Sequence, residues 1–445
     1  MLDANGANSA TFPPKFGGSG VGRVSGPLPA HLLPDSAAVG ADGWLTIGGC
    51  SVRALAEEHG TPLFVYDEEH LRARCREAVA AFPGGAAYAT KAFLCLAMAR
   101  LAFEEGMQLD VATAGELHVA LAAGARGEQL VMHGNNKSTD ELRRAREVGA
   151  TIVVDSFDEL DRLDALHAED GIAPRALLRI TPGVEAHTHE FVQTGQDDSK
   201  FGFGIASGAA EKALARSRAS AAFDLRGIHM HIGSQVFVAD FFHQAIELLA
   251  PFVNELGLPE LSIGGGLGVA YVEGEEAPSI AEWGASVHDA CERAGITSRI
   301  TAEPGRAIVA SAAITVYTVG TIKELPGIRT YVSVDGGMSD NPRPVLYGSG
   351  YETFLPRAPF AARPREVRLV GKHCESGDLL VREAAVPDDL AVDDLLATPV
   401  TGAYGHSMGS NYNKVPRPAV VFCRDGVART VVRREVLDDL MRLDA

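Results

Sequence analysis

Gly84-Gly85-Ala86-Ala87-Tyr88-Ala89-Thr90-Lys91-Ala92 reads as a buried strand of small side chains that stops on a lysine. Burying an ammonium is costly unless it is paired or deprotonated, so such a lysine either reaches solvent or is held as an amine nucleophile. Outward from this segment, short apolar runs alternate with helical periodicity. Strands are predicted near 87–90, 108–111, 130–133, 151–155, 176–181, 225–231, 260–264 and 300–303. Helix-like segments fall between them, at 114–123, 139–148, 157–167, 210–217, 241–256 and 279–294, with Ser138 and Asp240 placed to cap two of them. Strand–helix alternation predicts a parallel sheet. Eight units in this length match a (β/α)8 barrel, whose chemistry sits at the C-terminal ends of the strands.

Those ends carry Lys91, Asp110, His133, Asp155, Arg179, His231, a glycine cluster from Gly264, and Glu303. One polar residue at a strand end is ordinarily a cap or a loop hydrogen-bonder, but a convergent set is hard to read that way. From about residue 310 the helical periodicity gives way to strand-like runs at 314–319, 331–334, 366–370, 419–422 and 430–433, which predict a mostly β domain over 310–445. The barrel is expected over 61–309. The strand-like segment within 41–60 is expected to join the β domain, and residues 1–40 are read as a flexible tail.

At 445 residues the chain is too long for one ordinary core. A formal net charge of −18 without any Lys/Arg cluster argues against a nucleic-acid-binding face. No run approaches the roughly 20 apolar residues of a membrane helix, and the start lacks a secretory pattern. Cys50, Cys75, Cys95, Cys291, Cys374 and Cys423 are scattered without a CxxC pair, so neither a disulfide framework nor a metal site is expected. Reduced thiols fit a cytoplasmic protein.

Gly264-Gly265-Gly266-Leu267-Gly268 follows a strand and would let backbone amides approach an anion, although a tight turn uses the same residues. It meets neither the dinucleotide fingerprint nor the Walker spacing. Glu303-Pro304-Gly305-Arg306 follows the next strand and adds amides, a guanidinium and a carboxylate. Two adjacent strand ends of this kind match the phosphate site after the seventh and eighth strands of such barrels. An anion anchor, a lysine and a carboxylate are the requirements of pyridoxal 5'-phosphate: a phosphate grip, an amine partner and an acid for the ring nitrogen.

Ten motifs now stand in order from about residue 45 to the end: YATKA (88–92), HGNNKS (133–138), EAHTHE (185–190), TGQDDSKFGFGI (194–205), HIGSQ (231–235), GGGLG (264–268), EPGRA (303–307), SVDGGMSDNPRPVLY (333–347), GKHCESGD (371–378) and GAYGHSM (402–408). In this order the chain resembles the diaminopimelate decarboxylase family. The resemblance implies an alanine-racemase-like barrel with a C-terminal β domain, and pyridoxal 5'-phosphate joined to Lys91 as an internal aldimine. It implies that His231 lies against the pyridine ring and that Glu303 faces the ring nitrogen. Ser234, Gly266, Pro304, Gly305 and Arg306 are implied around the phosphate, with Tyr404 touching both phosphate and substrate. Without the family, His231 reads as a hydrogen-bonded core residue, Ser234 as a cap and Cys374 as a small buried hydrophobe.

By the same resemblance, Cys374 comes from the other subunit of a homodimer with shared active sites and returns a proton after CO2 leaves. Glu375 pairs with the distal ammonium, and Arg306, Arg343 and Tyr347 hold the distal carboxylate, a task suited to forked guanidinium groups. The implied reaction converts meso-2,6-diaminopimelate to L-lysine and CO2, the last step of lysine biosynthesis. Gly405, followed by His406, departs from the cysteine or histidine common after the tyrosine, and the segment joining HIGSQ to GGGLG is short. The alternatives are another decarboxylase of this fold, acting on ornithine, arginine or carboxynorspermidine, or a non-catalytic homologue. A racemase of this fold tends to place arginine, not an acid such as Glu303, at the ring nitrogen.

Overall fold

A computed structural model describes residues 25–183, 198–238 and 240–445. The motif at 185–190, residues 194–197 of the next motif and residues 1–24 of the expected tail lie outside the described residues. Eight strands, Ala87–Ala89, Gln108–Val111, Leu130–Met132, Thr151–Val154, Arg175–Thr181, Asp224–His229, Glu260–Ser262 and Arg299–Thr301, pair in chain order, each parallel to the next. The ring closes where Ala86 bridges Ala302 in parallel, with Ala87 N–H donating to the Ala302 carbonyl at 2.9 Å.

Alternation along the strands explains why these short runs suffice. Ala87, Val131, Val153 and Leu177 form a small buried cluster of their own inside the ring. Their strand neighbours Leu130, Met132, Ile152, Val154, Ala176 and Leu178 belong to the large core beneath the helices. Ser138 caps its helix (Thr139–Val148) through a reciprocal box: Glu141 N–H donates to Ser138 Oγ at 3.2 Å, and Ser138 N–H to Glu141 Oε2 at 2.8 Å. Asp240 is the first residue of the helix Asp240–Leu256.

The second sheet runs in the order Leu379–Val386, Arg365–Val370, Arg329–Val334, Ala313–Leu325, Leu63–Asp67, Ala419–Arg424, Val427–Val432, with Leu395–Pro399 also on Ala313–Leu325. The protein is thus a (β/α)8 barrel carrying a mostly β domain. Two expectations are corrected and one is refined. Leu63–Asp67, which the sequence places at the start of the barrel, pairs antiparallel with Ala313–Leu325 and parallel with Ala419–Arg424. The segment within 41–60 meets the β domain as expected, but through a sheet of its own: Leu45–Ile47 and Cys50–Ser51 form a three-stranded antiparallel sheet with Ala38–Val39. It is attached by Gly426 N–H donating to the Gly48 carbonyl at 2.7 Å, and a Cβ at Gly48 would fall 2.3 Å from the Cys423 carbonyl oxygen. Finally, residues 25–40 are not a loose tail: Leu28, Leu32 and Leu33 are buried, and Arg363 donates to the Gly26 carbonyl at 3.1 Å.

Candidate active site

The C-terminal ends of the barrel strands surround a cavity of about 340 Å³, lined among others by Lys91, Arg179, His231, Glu303, Arg306 and Tyr404. The first strand stops because Thr90 turns its hydroxyl to the Asp110 carbonyl at 2.8 Å, and a single tight turn, Thr90–Ala92, swings Lys91 into the opening. Tyr404 N–H donates to the Ala92 carbonyl at 2.8 Å, which latches the β domain onto that turn. Burial opposes charge on Lys91, but Tyr404, Asp110 and Glu303 outweigh it and raise its pKa.

Glu303 ends the eighth strand and is buried. One carboxylate oxygen lies 2.9 Å from His229 Nε2; the other accepts from Ser262 Oγ at 3.1 Å and lies 3.2 Å from His133 Nε2. His133 Nε2 is also 3.6 Å from Asp110, and the two imidazole rings stand 4.9 Å apart. Burial alone would push the Glu303 carboxyl up; His133 and His229 outweigh it and hold it well below the usual carboxylate range. Burial likewise works against an imidazolium at His133, but Asp110 and Glu303 raise its pKa, whereas burial takes His229 down to about 4. His231 Nδ1 accepts the Gly265 N–H at 3.2 Å, and burial with Lys91 and Arg179 nearby lowers its pKa well below the ordinary value.

On the opposite side the two glycine-bearing loops meet. Val236 N–H donates to the Gly266 carbonyl at 2.9 Å and Gly268 N–H returns to Val236 at 3.0 Å. A Cβ would lie 2.2 Å from the Glu303 carbonyl oxygen at Gly265, 2.3 Å from that of Gly233 at Gly266, and 2.8 Å from the Ala89 Cβ at Gly305. These glycines are required by close packing of loops. Arg306 donates to Ser234 Oγ at 3.0 Å and to Tyr271 Oη at 2.6 Å.

Residues 68–310 match the profile of pyridoxal-dependent decarboxylases, pyridoxal binding domain. The chain is 49% identical over 424 residues to the diaminopimelate decarboxylase of Mycobacterium tuberculosis (strain ATCC 25618 / H37Rv), covering 90% of this chain and 95% of that one. It is 45% identical over 420 residues to that of Bacillus subtilis (strain 168), with the same coverage of 90% and 95%. The crystal structure of diaminopimelate decarboxylase from M. jannaschii in co-complex with L-lysine superposes with a TM-score of 0.84 at 30% identity, over 92% of this chain and 98% of that chain. The chain belongs to the diaminopimelate decarboxylase family.

Within this family member the predicted residues separate into two groups. Lys91, His231, Ser234, Gly266, Glu303, Pro304, Gly305, Arg306 and Tyr404 all line the one cavity. Arg343, Tyr347, Cys374 and Glu375 do not. Arg343 is buried behind it on Tyr271 and Tyr351, with Tyr347 half-buried at the end of the same short helix, Arg343–Tyr347. Cys374 is exposed on a loop whose backbone is pinned by Asp378, which accepts from Met338 N–H at 2.7 Å and His373 N–H at 2.9 Å. The departure at Gly405 is a packing fit: a Cβ there would sit 3.1 Å from the Thr401 carbonyl oxygen, while His406 is buried edge-on to Phe64 and Phe93. Sequence reading overlooked His229, Tyr271 and Tyr351. The alternation His229-Met230-His231 was the available signal for the first, since a strand sends both histidines to the same face.

Proposed function

We propose that the protein decarboxylates meso-2,6-diaminopimelate to L-lysine and CO2, the last step of lysine biosynthesis, as a cytoplasmic homodimer holding pyridoxal 5'-phosphate. The observation that carries the reading is that Lys91 and a Glu303 carboxylate kept anionic by His133 and His229 face one cavity, next to a glycine cradle. The residues fit the cofactor: Gly265, Gly266 and Gly305 bring loop backbone to the cavity wall, where amides can meet an anion, and Arg306 adds a guanidinium whose buried Nε has no hydrogen-bond partner among the described residues. When bound, pyridoxal phosphate supplies an electron sink for the charge left as the carboxylate departs.

The chain's own groups have distinct tasks. Lys91 supplies the amine that retains the cofactor, Glu303 holds a proton at the ring nitrogen, and His231 covers one ring face. Ser234, Gly266, Pro304, Gly305, Arg306 and Tyr404 hold the phosphate. Arg306, Arg343, Tyr347 and Tyr404 face the distal end of the substrate, where the arginines pair with its carboxylate. Glu375 pairs with the distal ammonium and Cys374 holds the proton returned to the α-carbon, both reaching the cavity from the partner subunit. The exposure of Cys374 and its absence from the cavity wall of its own chain favour that arrangement. The barrel then spans about residues 68–309, and the β domain comprises residues 310–445 together with Leu63–Asp67.

Relatives acting on ornithine or arginine would leave Arg306 and Arg343 without an anion, and neither is paired with a carboxylate among the described residues. The test is to incubate the purified protein and pyridoxal phosphate separately with meso-diaminopimelate, ornithine and arginine, and to measure CO2 and L-lysine. Release from meso-diaminopimelate alone is expected; preferential release from ornithine or arginine overturns the reading.

A further inference from the structure

Two buried guanidinium groups meet on one tyrosine. Arg306, just past the last barrel strand, donates to Tyr271 Oη at 2.6 Å. Arg343, from the β domain, stands with its Cζ 4.1 Å from the centroid of the same ring. The Tyr404 ring lies 4.7 Å from Arg306 Cζ, and the Tyr351 ring 5.4 Å from Arg343 Cζ, with Tyr351 also accepting a hydrogen bond from Arg343. Tyr404, Arg306, Tyr271, Arg343 and Tyr351 therefore alternate aromatic ring and cation, and Tyr271 and Tyr351 meet edge to face at 5.3 Å.

Like charges this close repel, and burial removes the water that would screen them. Ring faces and phenolic oxygens supply the compensation in place of acids. Arg343 stays charged although it is buried, because a guanidinium does not give up its proton inside a protein. Tyr271 is itself fixed, its N–H donating to Glu275 Oε2 at 2.8 Å. A cation pair held by neutral groups keeps its full charge for an incoming anion, whereas a pair neutralised by carboxylates would have to be released first.

We propose that Tyr271 is a positioning residue that holds Arg306 and Arg343 together as one carboxylate-recognising pair, and so sets the preference for a substrate end bearing a carboxylate over a bare amine. This deepens the decarboxylase reading above and rests on it. The two supports are separable by mutation. Tyr271→Phe removes the hydroxyl held by Arg306 and keeps the ring under Arg343; Tyr271→Leu removes both.

The test uses the cofactor-loaded enzyme, with steady-state kinetics on meso-diaminopimelate and calorimetric binding of L-lysine and of cadaverine, which is lysine without its carboxylate. Tyr271→Phe should raise KM about tenfold, the loss of one hydrogen bond to a charged group, and Tyr271→Leu about a hundredfold, with kcat within about threefold of wild type. Lysine affinity should fall in parallel and cadaverine affinity should stay, so that the lysine-to-cadaverine ratio collapses. An unchanged ratio in Tyr271→Phe, or equal losses of both ligands, overturns the proposal. Should Tyr271→Leu fail to fold, the ratio in Tyr271→Phe decides alone. A wild-type enzyme that releases no CO2 from meso-diaminopimelate would instead sink the underlying function, and the binding ratio would still rule on Tyr271.

Discussion

Glu303 Oε2 lies 2.9 Å from Nε2 of His229, a histidine two residues before the one that the motif HIGSQ singles out. With His133 3.2 Å from the other oxygen, the carboxylate is held between two imidazoles at the end of the eighth strand. An anionic carboxylate there can hold a proton on a ring nitrogen, and a neutral amide cannot. Glu303→Gln should lower kcat by about a hundredfold or more, in the range of a lost preorganised charge, while the dissociation constant for pyridoxal phosphate moves about threefold or less because the glycine cradle and Arg306 are untouched. Unchanged turnover would place another acid at the ring.

His133 provides a pH test on the apoprotein. Its pKa is raised in the folded state, so its contribution to stability is complete below the unfolded value of about 6.5 and is lost as pH rises through the folded value. The melting-temperature gap between wild type and His133→Gln should therefore be wider at about pH 6 than at about pH 9. A gap that is constant or widens with pH would show that the pair with Asp110 and Glu303 does not hold an imidazolium.

Lys91→Ala should abolish the visible absorbance that the protein acquires with pyridoxal phosphate, because no other lysine lines the cavity among the described residues. Borohydride reduction followed by peptide mapping checks the attachment point. Label recovered at another lysine in the variant would remove Lys91 from the role.

Arg343→Ala should damage binding of L-lysine much more than binding of cadaverine, since removing one buried charged contact costs about 2–5 kcal/mol. Equal losses on both would make Arg343 a structural residue of the Tyr271 and Tyr351 stack, not a substrate contact.

The barrel and its rim were legible because the strands repeat one grammar, an apolar run ending on a polar side chain, with a helix after it. Lys91, His231 and Glu303 sit where that grammar places them. Leu63–Asp67 was misplaced because an all-buried Leu-Phe-Val-Tyr-Asp run has no alternation to say which sheet buries it, and its partners Ala313–Leu325 and Ala419–Arg424 lie some 250 residues or more downstream. The segment from Ser25 looked loose because its glycines and prolines mask three leucines that are buried in the core. Tyr271 and Tyr351 lie in loops, where no period marks a residue as facing a site, and their role exists only once Arg306 and Arg343 converge.

The last prediction concerns Cys374, which is exposed and off the cavity wall in its own chain. If each site joins Lys91 of one subunit to Cys374 of the other, Lys91→Ala and Cys374→Ala homodimers are both crippled, because every site lacks one group. Mixing equal amounts and allowing exchange should give about half heterodimers under random two-fold pairing. Each heterodimer has one site with both substitutions and one with neither, so roughly a quarter of wild-type activity should return. Recovery must follow the exchange, monitored by mass spectrometry of the intact dimers, and must be absent when the subunits are crosslinked beforehand. Exchanged mixtures as inactive as the separate variants would mean that Cys374 serves its own chain or takes no part in the reaction.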